Sequence, residues 1–252
     1  MHRVAIIQAR MTSTRLPGKI LKVLGARPML AQQIRRLRAC REIDEICIAT
    51  TTNVTDDIVA QLVRNEDLPC FRGSEHDVLS RYVGAARQMR ADVVIRLTAD
   101  CPLCDPPTVD AVVLALTEQA ATTDYASNVL KRTFPQGLDV EALWIDVLER
   151  AARIFASPEA REHVTAGIYA GRPDLFLLKN VENTRDDSDL SWTVDTPTDF
   201  EMARLVYKYL GLDERIAPLS EMLEFVRAHP EISRLNVCQK TWSPFENRKS
   251  LV

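Results

Sequence analysis

The sequence predicts an α/β protein in which helices cover both faces of a doubly wound, mostly parallel sheet, giving a three-layer α/β/α sandwich. Three observations support this fold class. Short apolar runs of strand character alternate with longer segments of helical period along roughly the first 120 residues. The chain has 252 residues, of which 46% are hydrophobic, enough for one large domain with a sizeable core. Polar loops follow the strands, which is where ligands bind in open α/β sheets.

The first half of the chain shows this alternation most clearly. The predicted strands and the helices that follow them are, in order, residues 3–7 and 28–40, 45–50 and 55–65, 70–71 and 76–89, and 92–97 and 108–119. In the first helix the apolar residues Leu30, Ile34 and Leu37 recur at helical spacing. Asp56 and Asp57 lie in the first turn of the second helix, where carboxylates interact favourably with the helix dipole.

The alternation changes after Asp124. Residues 138–143 predict an extended segment, and residues 145–155 and 159–170 predict two further helices. We expect residues 134–185 to form a small excursion from the sheet, within a single domain that spans residues 1–252.

The chain then returns to the sheet. Residues 191–195 are the expected returning segment, and residues 219–228 predict the last helix. Between them, Thr196 is a candidate cap for a helix with Pro197 at its first position and Asp199 in its first turn.

Composition and charge disfavour several classes of protein. The formal net charge of −3 argues against a general binder of nucleic acids or membrane surfaces, which usually carries a basic excess. No signal peptide is expected, and no stretch approaches the roughly 20 apolar residues of a membrane span. The cysteines of such a chain are expected to be reduced thiols in the cytoplasm. They are Cys40, Cys47, Cys70, Cys101, Cys104 and Cys238.

A basic loop follows the first predicted strand. Residues 7–19 read IQARMTSTRLPGK, so Arg10, Arg15 and Lys19 stand close together on a mildly acidic chain. Such a spot suits a small anion, because guanidinium groups match phosphate oxygens and lysine supplies a point charge. The loop lacks the glycines of a dinucleotide fingerprint, and Ile20 after Lys19 excludes a P-loop. From charge alone, an ordinary solvated loop is an equally good interpretation.

Two carboxylates stand where a metal ion could be held against phosphates. Asp100 directly follows the strand of residues 92–97, within the sequence RLTADCPLCDP, and Asp195 precedes the predicted helix at Pro197. Mg²⁺ prefers one or two carboxylates together with phosphate oxygens and water. Taken alone, Asp195 is better explained as a residue at the start of a helix.

Other motifs give weaker indications. Cys101 and Cys104 form a single CxxC without further ligands, so packed thiols are favoured over a zinc site. Asp187 and Asp189 resemble the D-x-D of metal-dependent glycosyltransferases, but they lie in a polar run that favours a solvated loop. His163 is expected on a helix surface or in a pocket, and no serine or cysteine has the setting of a catalytic nucleophile.

In their order and spacing these motifs resemble the cytidylyltransferases that make CMP-activated acidic sugars, closest to the spore-coat polysaccharide protein F branch. Related members activate 3-deoxy-manno-octulosonate and sialic-type acids. The resemblance implies a Rossmann-like nucleotidyltransferase fold. It rests on residues 7–19, 96–106, 124–128, 134–141, 161–165 and 193–201.

The resemblance implies a role for each matching residue. Arg10, Lys19, Asp100 and Asp195 are the implied catalytic residues, with Asp100 and Asp195 as the Mg²⁺ ligands. The implied CTP-binding residues are Gln8, Ala9, Arg10, Ser13, Arg15, Lys19, Arg81 and Asp100. The residues implied to contact the sugar acid or a partner subunit, which gives the excursion its expected role in substrate binding or dimerisation, are Gln136, Asp139, Glu141, Glu162 and His163.

The expected function is therefore Mg²⁺-dependent transfer of CMP from CTP to an acidic sugar of the nonulosonate or 3-deoxy-manno-octulosonate type. Pyrophosphate is released, the pathway is polysaccharide biosynthesis, and the resemblance implies a homodimer without nucleic-acid or membrane partners. The alternative is a nucleotide-sugar-dependent glycosyltransferase of polysaccharide assembly, which would need the pair Asp187 and Asp189. A non-enzymatic nucleotide-binding protein is a third hypothesis, disfavoured because binding alone has less need of paired metal carboxylates.

Overall fold

The computed structural model of the chain describes residues 1–236 and 244–251, so Cys238 lies outside the described residues. Seven strands form one sheet, and a separate hairpin has two more. The strands are β1 (Arg3–Gln8), β2 (Val23–Leu24), β3 (Arg27–Pro28), β4 (Glu45–Thr51), β5 (Cys70–Gly73), β6 (Val93–Thr98), β7 (Tyr125–Ser127), β8 (Glu141–Trp144) and β9 (Leu178–Asn180). The order in the main sheet is β5-β4-β1-β6-β8-β7-β9, and β8 alone runs antiparallel to its neighbours.

Helices flank this sheet on both faces, which confirms the predicted fold class. They are α1 (Met29–Leu37), α2 (Asp57–Asn65), α3 (Val78–Gln88), α4 (Pro106–Thr117), α5 (Ile145–Ile154), α6 (Pro158–His163), α7 (Pro197–Leu210), α8 (Leu219–Ala228) and α9 (Pro230–Ser233). Alternate residues of β1 serve opposite faces, as the strand period of two requires. Ala5 and Ile7 belong to the core shared with α1, α2, α4 and α7, whereas Val4 and Ile6 belong to the core shared with α3 and α5.

The helix at residue 197 begins as the sequence predicts. Thr196 caps α7: its hydroxyl accepts a hydrogen bond from the Asp199 N–H at 3.3 Å, and the Asp199 carboxylate accepts one from the Thr196 N–H at 2.7 Å. The same carboxylate accepts from the Asp195 N–H at 2.9 Å. This capping box satisfies the exposed N–H groups of the first turn and fixes the backbone that carries Asp195.

The predictions for residues 134–195 need correction. Strands β8 and β9 lie in the main sheet, so residues 134–185 do not simply leave it. The helix predicted over residues 159–170 is interrupted, because α6 ends before Val164, whose φ of 58° is unfavourable for a β-branched side chain. Residues 191–195 return without forming a strand: Ser191 makes an isolated bridge with Gln136.

Among the described residues, no helix combines the length and the apolar composition that crossing a bilayer requires.

Candidate active site

The carboxyl ends of β1 and β6 bring together the two loops that the sequence singles out. These strands are parallel neighbours, and Gln8 lies opposite Thr98 at their ends. The basic loop therefore leaves the sheet beside the segment that carries Asp100. A third segment joins them, because the Val194 N–H donates to the Asp100 carbonyl oxygen at 2.9 Å and so places Asp195 alongside.

Lys19, Asp100 and Asp195 form one charged cluster at this edge. The Lys19 ammonium donates to Asp195 Oδ1 at 2.8 Å, to Asp100 Oδ2 at 3.2 Å and to the Val194 carbonyl oxygen at 2.9 Å. Arg15 Nη2 lies 2.9 Å from Asp195 Oδ2. Burial works against both charges of the Lys19–Asp100 contact, yet the carboxylates raise the pKa of Lys19, and Lys19 and Thr98 lower the pKa of Asp100.

The segment that carries Asp100 is held by hydrogen bonds from three neighbouring side chains. Gln33 of α1 donates to the Thr98 carbonyl oxygen at 2.8 Å, and the Tyr207 hydroxyl of α7 donates to the Pro102 carbonyl oxygen at 2.8 Å. The Thr98 hydroxyl donates to Asp100 Oδ1 at 2.6 Å. A carboxylate held in this way is preorganised, since little freedom remains to be lost when a ligand arrives.

A cavity of about 260 Å³ opens between the basic loop and this cluster. Most of the residues predicted to bind CTP line it, together with Asp195. Its lining is Gln8, Arg10, Thr12, Ser13, Thr14, Arg15, Lys19, Ile20, Thr98, Ala99, Asp100 and Asp195. We call it the loop cavity.

Two residues predicted to bind CTP do not line the loop cavity. Ala9 is buried, and its N–H donates to the Ala49 carbonyl oxygen at 3.1 Å. Arg81 is also buried, and its guanidinium donates to the Ser74 carbonyl oxygen. Burial, with the nearby charge of Arg10, lowers the pKa of Arg81.

Glu75 belongs to this region although no sequence motif points to it. Its carboxylate accepts hydrogen bonds from Thr12 Oγ1 at 2.8 Å and Asn53 Nδ2 at 2.6 Å, and it lies 3.7 Å from Arg10 Nη1. These hydrogen bonds lower the pKa of Glu75. The carboxylate thereby fixes the start of the basic loop.

The oxygen atoms around Lys19 suit Mg²⁺. Two carboxylates and the Val194 carbonyl oxygen converge on one cation, here the Lys19 ammonium. Within residues 1–236 and 244–251 no group of three or more His, Cys, Asp or Glu side chains could hold a metal ion. Mg²⁺ does not need such a group, because it takes its remaining ligands from phosphate oxygens and water.

The other candidate metal motifs are engaged elsewhere. Asp187 and Asp189 are both paired with Arg227, at 2.9 Å and 2.5 Å, which ties their loop to α8. Cys101 and Cys104 are buried, and burial raises the pKa of Cys104 to about 12 and that of Cys101 well above its usual value. Neither forms a disulfide within the described residues, and both are packed in the interior.

A second cavity, of about 490 Å³, adjoins the first, with Thr98 in the lining of both. It contains four of the five residues predicted to contact a sugar acid. Glu162, the fifth, is exposed and does not line it. The lining is Arg96, Leu97, Thr98, Val129, Leu130, Arg132, Gln136, Asp139, Glu141, His163, Tyr169, Pro244 and Phe245. We call it the inner cavity.

The charges of the inner cavity are arranged as two ion pairs. Arg96 Nη1 donates to Glu141 Oε1, and the Tyr125 hydroxyl donates to Glu141 Oε2 at 2.6 Å. Arg132 binds Asp139 through two parallel hydrogen bonds of 2.5 Å and 2.8 Å. Guanidinium groups paired in this way are rigid and present a fixed pattern of polar atoms to a ligand.

His163 adds a polar side chain to this wall. Burial lowers the pKa of His163, and the charge of Arg96 acts in the same direction against that of Glu162. The lowered pKa favours the neutral imidazole, in which one ring nitrogen is a hydrogen-bond donor and the other an acceptor.

Sequence reasoning missed several residues of the inner cavity. Arg96 lies in the motif RLTADC and could have been selected as the strand residue four positions before Asp100. Arg132 and Tyr169 have no local signature. Pro244 and Phe245 belong to the C-terminal tail, for which the sequence predicted nothing.

Known proteins similar to this chain are cytidylyltransferases and proteins of polysaccharide biosynthesis. Residues 4–154 match the family model described as Cytidylyltransferase. The spore coat polysaccharide biosynthesis protein SpsF of Bacillus subtilis is 32% identical over 233 residues, which cover 90% of this chain and 94% of that protein. The 3-deoxy-manno-octulosonate cytidylyltransferase of Anaeromyxobacter dehalogenans is 28% identical over 244 residues, which cover 81% and 96%.

The fold is also similar to that of a solved cytidylyltransferase structure. A cytidylyltransferase from Leptospira borgpetersenii superimposes with a TM-score of 0.87 at 29% identity, covering 96% of this chain and 100% of that one.

Proposed function

This chain belongs to the cytidylyltransferase family, and on that premise we propose that it transfers CMP from CTP to an acidic sugar with release of pyrophosphate. The observation that carries the proposal is the arrangement of the two cavities. A basic loop and two carboxylates line one, a cavity of about 490 Å³ with polar and charged lining residues adjoins it, and Thr98 lines both.

The proposed reaction joins the contents of the two cavities. A hydroxyl oxygen of the acceptor in the inner cavity attacks the α-phosphorus of CTP in line with the departing pyrophosphate. The new phosphorus–oxygen bond forms as the bond from the α-phosphorus to the oxygen bridging to the β-phosphate breaks. That oxygen leaves with the pyrophosphate, and the hydroxyl proton passes to solvent. Positioning and charge neutralisation supply most of the rate enhancement in such transfers.

Each residue of the cluster has a place in this proposal. Arg10, Arg15 and Lys19 would bind the triphosphate and neutralise the charge that develops on the leaving pyrophosphate. Asp100 and Asp195 would hold Mg²⁺. When bound, the ion would neutralise phosphate charge and favour deprotonation of the acceptor hydroxyl.

The inner cavity would select the acceptor. Gln136, His163 and the ion pairs Arg96–Glu141 and Arg132–Asp139 offer donors and acceptors matched to a sugar acid rich in hydroxyl groups. We propose a sugar of the nonulosonate or 3-deoxy-manno-octulosonate type, in polysaccharide biosynthesis, which the names of the relatives also support. The glycosyltransferase alternative has less support, because Arg227 holds both Asp187 and Asp189.

Pyrophosphate release tests the proposal. The protein is incubated with each nucleoside triphosphate in turn, Mg²⁺ and a panel of sugar acids that includes 3-deoxy-manno-octulosonate. We expect release with CTP alone among the nucleotides, only when an acid is present, and loss of release with EDTA. Hydrolysis of a ready-made nucleotide sugar without any triphosphate would support the glycosyltransferase instead.

A further inference from the structure

Lys19 and Arg15 occupy the oxygen atoms that a metal ion would need. The Lys19 ammonium donates hydrogen bonds to Asp195 Oδ1 and Asp100 Oδ2, and the Arg15 guanidinium pairs with Asp195 Oδ2. Asp100 Oδ1 accepts from the Thr98 hydroxyl. All four carboxylate oxygens therefore have partners within the chain.

The charges of this cluster balance. Two monocations, Lys19 and Arg15, face two carboxylates, so a dication added beside them would be repelled by both. A dication that replaced both monocations would leave the balance unchanged. Mg²⁺ exchange is therefore favourable only if Lys19 and Arg15 have another anion to bind.

The loop cavity offers a place for that anion. Arg10, Ser13 and Thr14 line it beside Arg15 and Lys19, and the Arg15 side chain is half exposed, so it can turn towards a ligand. A triphosphate would draw both cations from the carboxylates and bring its own oxygens to the metal ion, which two carboxylates alone coordinate incompletely.

We propose that Lys19 and Arg15 are the resident counterions of the metal site, and that a divalent cation enters together with the triphosphate that displaces them. The proposal deepens the proposed function and rests on it for the identity of the triphosphate. Binding of metal and nucleotide is then cooperative, and each raises the affinity for the other by the same factor.

Mn²⁺ binding, measured by the electron paramagnetic resonance signal of the free ion, tests the exchange without any turnover. In the absence of nucleotide we expect Lys19→Met to bind Mn²⁺ at least about tenfold more tightly than the wild type, since a charge that competes with the metal is removed. We expect Lys22→Met, which removes an exposed lysine three positions away, to match the wild type.

The outcomes separate this proposal from the proposed function. Two results would overturn the exchange. One is an equal affinity of Lys19→Met and the wild type for Mn²⁺ in the absence of nucleotide, and the other is tight Mn²⁺ binding by the wild type before CTP is added. Arg15→Met repeats the test if Lys19→Met does not fold by circular dichroism. If CTP fails to tighten Mn²⁺ binding by the wild type, the coupled entry of metal and triphosphate is wrong. The proposed function fails separately, if no pyrophosphate is released with CTP and any sugar acid.

A second, independent observation concerns the C-terminal tail. Pro244 and Phe245 line the inner cavity, and the Phe245 ring lies 5.8 Å from the Tyr169 ring between centroids. Tyr169 in turn stacks on Tyr125, also at 5.8 Å. Tyr169 and Phe245 therefore give part of the cavity an aromatic wall, next to the lining residues that carry the paired charges.

The tail is anchored where it approaches this wall. Leu251 is buried in the same hydrophobic core as α3 and α5. It packs so closely on Gly171 that a β-carbon there would lie 3.2 Å from the Leu251 Cβ. This contact holds the end of the chain against the segment that carries Tyr169.

We infer that Phe245 and Tyr169 form the specificity wall that contacts the C–H face of the acceptor sugar. Aromatic faces bind the apolar surface of a ligand whose polar groups point the other way. The inference rests on the proposed function, and it assigns the tail, which lies beyond the residues matched by the family model, a part in acceptor selection.

Steady-state kinetics with the acid that supports turnover tests the wall. We expect Phe245→Ala to raise the KM for the acceptor about tenfold and to leave the KM for CTP unchanged. Phe245→Leu should keep the acceptor KM close to that of the wild type. Tyr209→Ala, which removes an exposed aromatic ring from α7, is the control and should leave both constants unchanged.

An acceptor KM that Phe245→Ala leaves unchanged would overturn this inference while the proposed function stands. A rise in both KM values would also overturn it, because it would indicate a general structural effect. If the wild type releases no pyrophosphate with any acid, the proposed function and this inference both fail.

Discussion

The charged cluster of the loop cavity and the Arg96–Glu141 pair of the inner cavity hold their charges in different ways. In the loop cavity, Arg15 and Lys19 reach the carboxylates from a loop, and both carboxylate side chains keep some exposure, 24% for Asp100 and 21% for Asp195. In the inner cavity, Arg96 and Glu141 lie directly opposite each other on β6 and β8 and are 14% and 6% exposed. Charges on a loop can exchange partners, whereas charges fixed by strand register cannot.

This difference matches the tasks proposed for the two cavities. A triphosphate carries several charges, and its two outer phosphates must leave as pyrophosphate. The groups that bind them therefore have to rearrange. An acceptor is chosen by shape and hydrogen bonding, and a rigid wall gives that selection its sharpness. The same residue types therefore serve exchange at one site and rigidity at the other.

The largest expected effect comes from breaking the rigid pair. We expect Glu141→Gln to lower the free energy of unfolding by about 3–5 kcal/mol, because Arg96 then keeps a buried charge without a partner. Glu149→Gln is the matched control: it removes a half-buried carboxylate paired with the exposed Arg87 and should cost at most about 1 kcal/mol. Urea denaturation at pH 7 measures both, and equal losses would contradict the importance given to the buried strand pair.

The next effect concerns catalysis rather than stability. We expect Asp100→Asn and Lys19→Ala each to lower kcat by roughly 10²-fold or more, since one preorganised charged group contributes about 3–4 kcal/mol to such a step. Both variants should remain folded, because the cluster lies at the end of the sheet rather than in its core. Pyrophosphate release measures the rates, with Lys22→Ala as the control, and near-normal release by either variant would contradict the assignment.

The C-terminal half limits how far the sequence alone could go. In the first half, β1, β4 and β6 and helices α1 to α4 follow from local hydrophobic period, and each predicted end lies within about three residues of the observed one. Strands β7 and β9 have three residues each, too few for a period to be recognised. Pairing defines them instead: β7 pairs with β8 and β9, and β9 pairs with β7. The break at Val164 is likewise a matter of backbone conformation that residue type does not reveal.

The candidate site divides in the same manner. Asp100 and the basic loop were selected because each follows a strand, whereas Asp195, taken alone a residue at the start of a helix, was selected through the family resemblance. The pairing of Arg96 with Glu141 depends on an antiparallel strand brought from 45 residues away, and the approach of Phe245 depends on the fold as a whole. Local sequence therefore identified the groups on strand-end loops better than the partners supplied by distant segments.

A smaller effect is expected from pH, and it sharpens the comparison. The Asp100 pKa is lowered, so its contribution to stability is present above its unfolded value of about 3.9 and is lost as pH falls through the folded pKa. The Lys19 pKa is raised, so its contribution is present below about 10.4 and is lost as pH rises through the folded pKa. We expect the free energy of unfolding of the double variant Asp100→Asn, Lys19→Met to be about 2 kcal/mol lower than that of the wild type between these pH limits. Outside them the difference should be smaller. Urea denaturation across pH 3 to 11 measures this (a difference independent of pH would contradict the charged pair).

The smallest effect concerns the thiols beside the loop cavity. Cys101 and Cys104 belong to the same segment as Asp100, but burial raises the pKa of both thiols, so almost no thiolate is present at pH 8. We expect iodoacetamide at pH 8 to leave both unmodified in the native protein and to modify both in urea, as peptide mass spectrometry would show. We also expect Cys104→Ser to change kcat by less than about twofold, because the Cys104 thiol makes only a weak contact with the Gln33 carbonyl oxygen at 3.9 Å. Rapid alkylation of the native protein, or loss of activity in Cys104→Ser, would indicate a redox or metal role for the CxxC and would place a third kind of chemistry next to the two cavities.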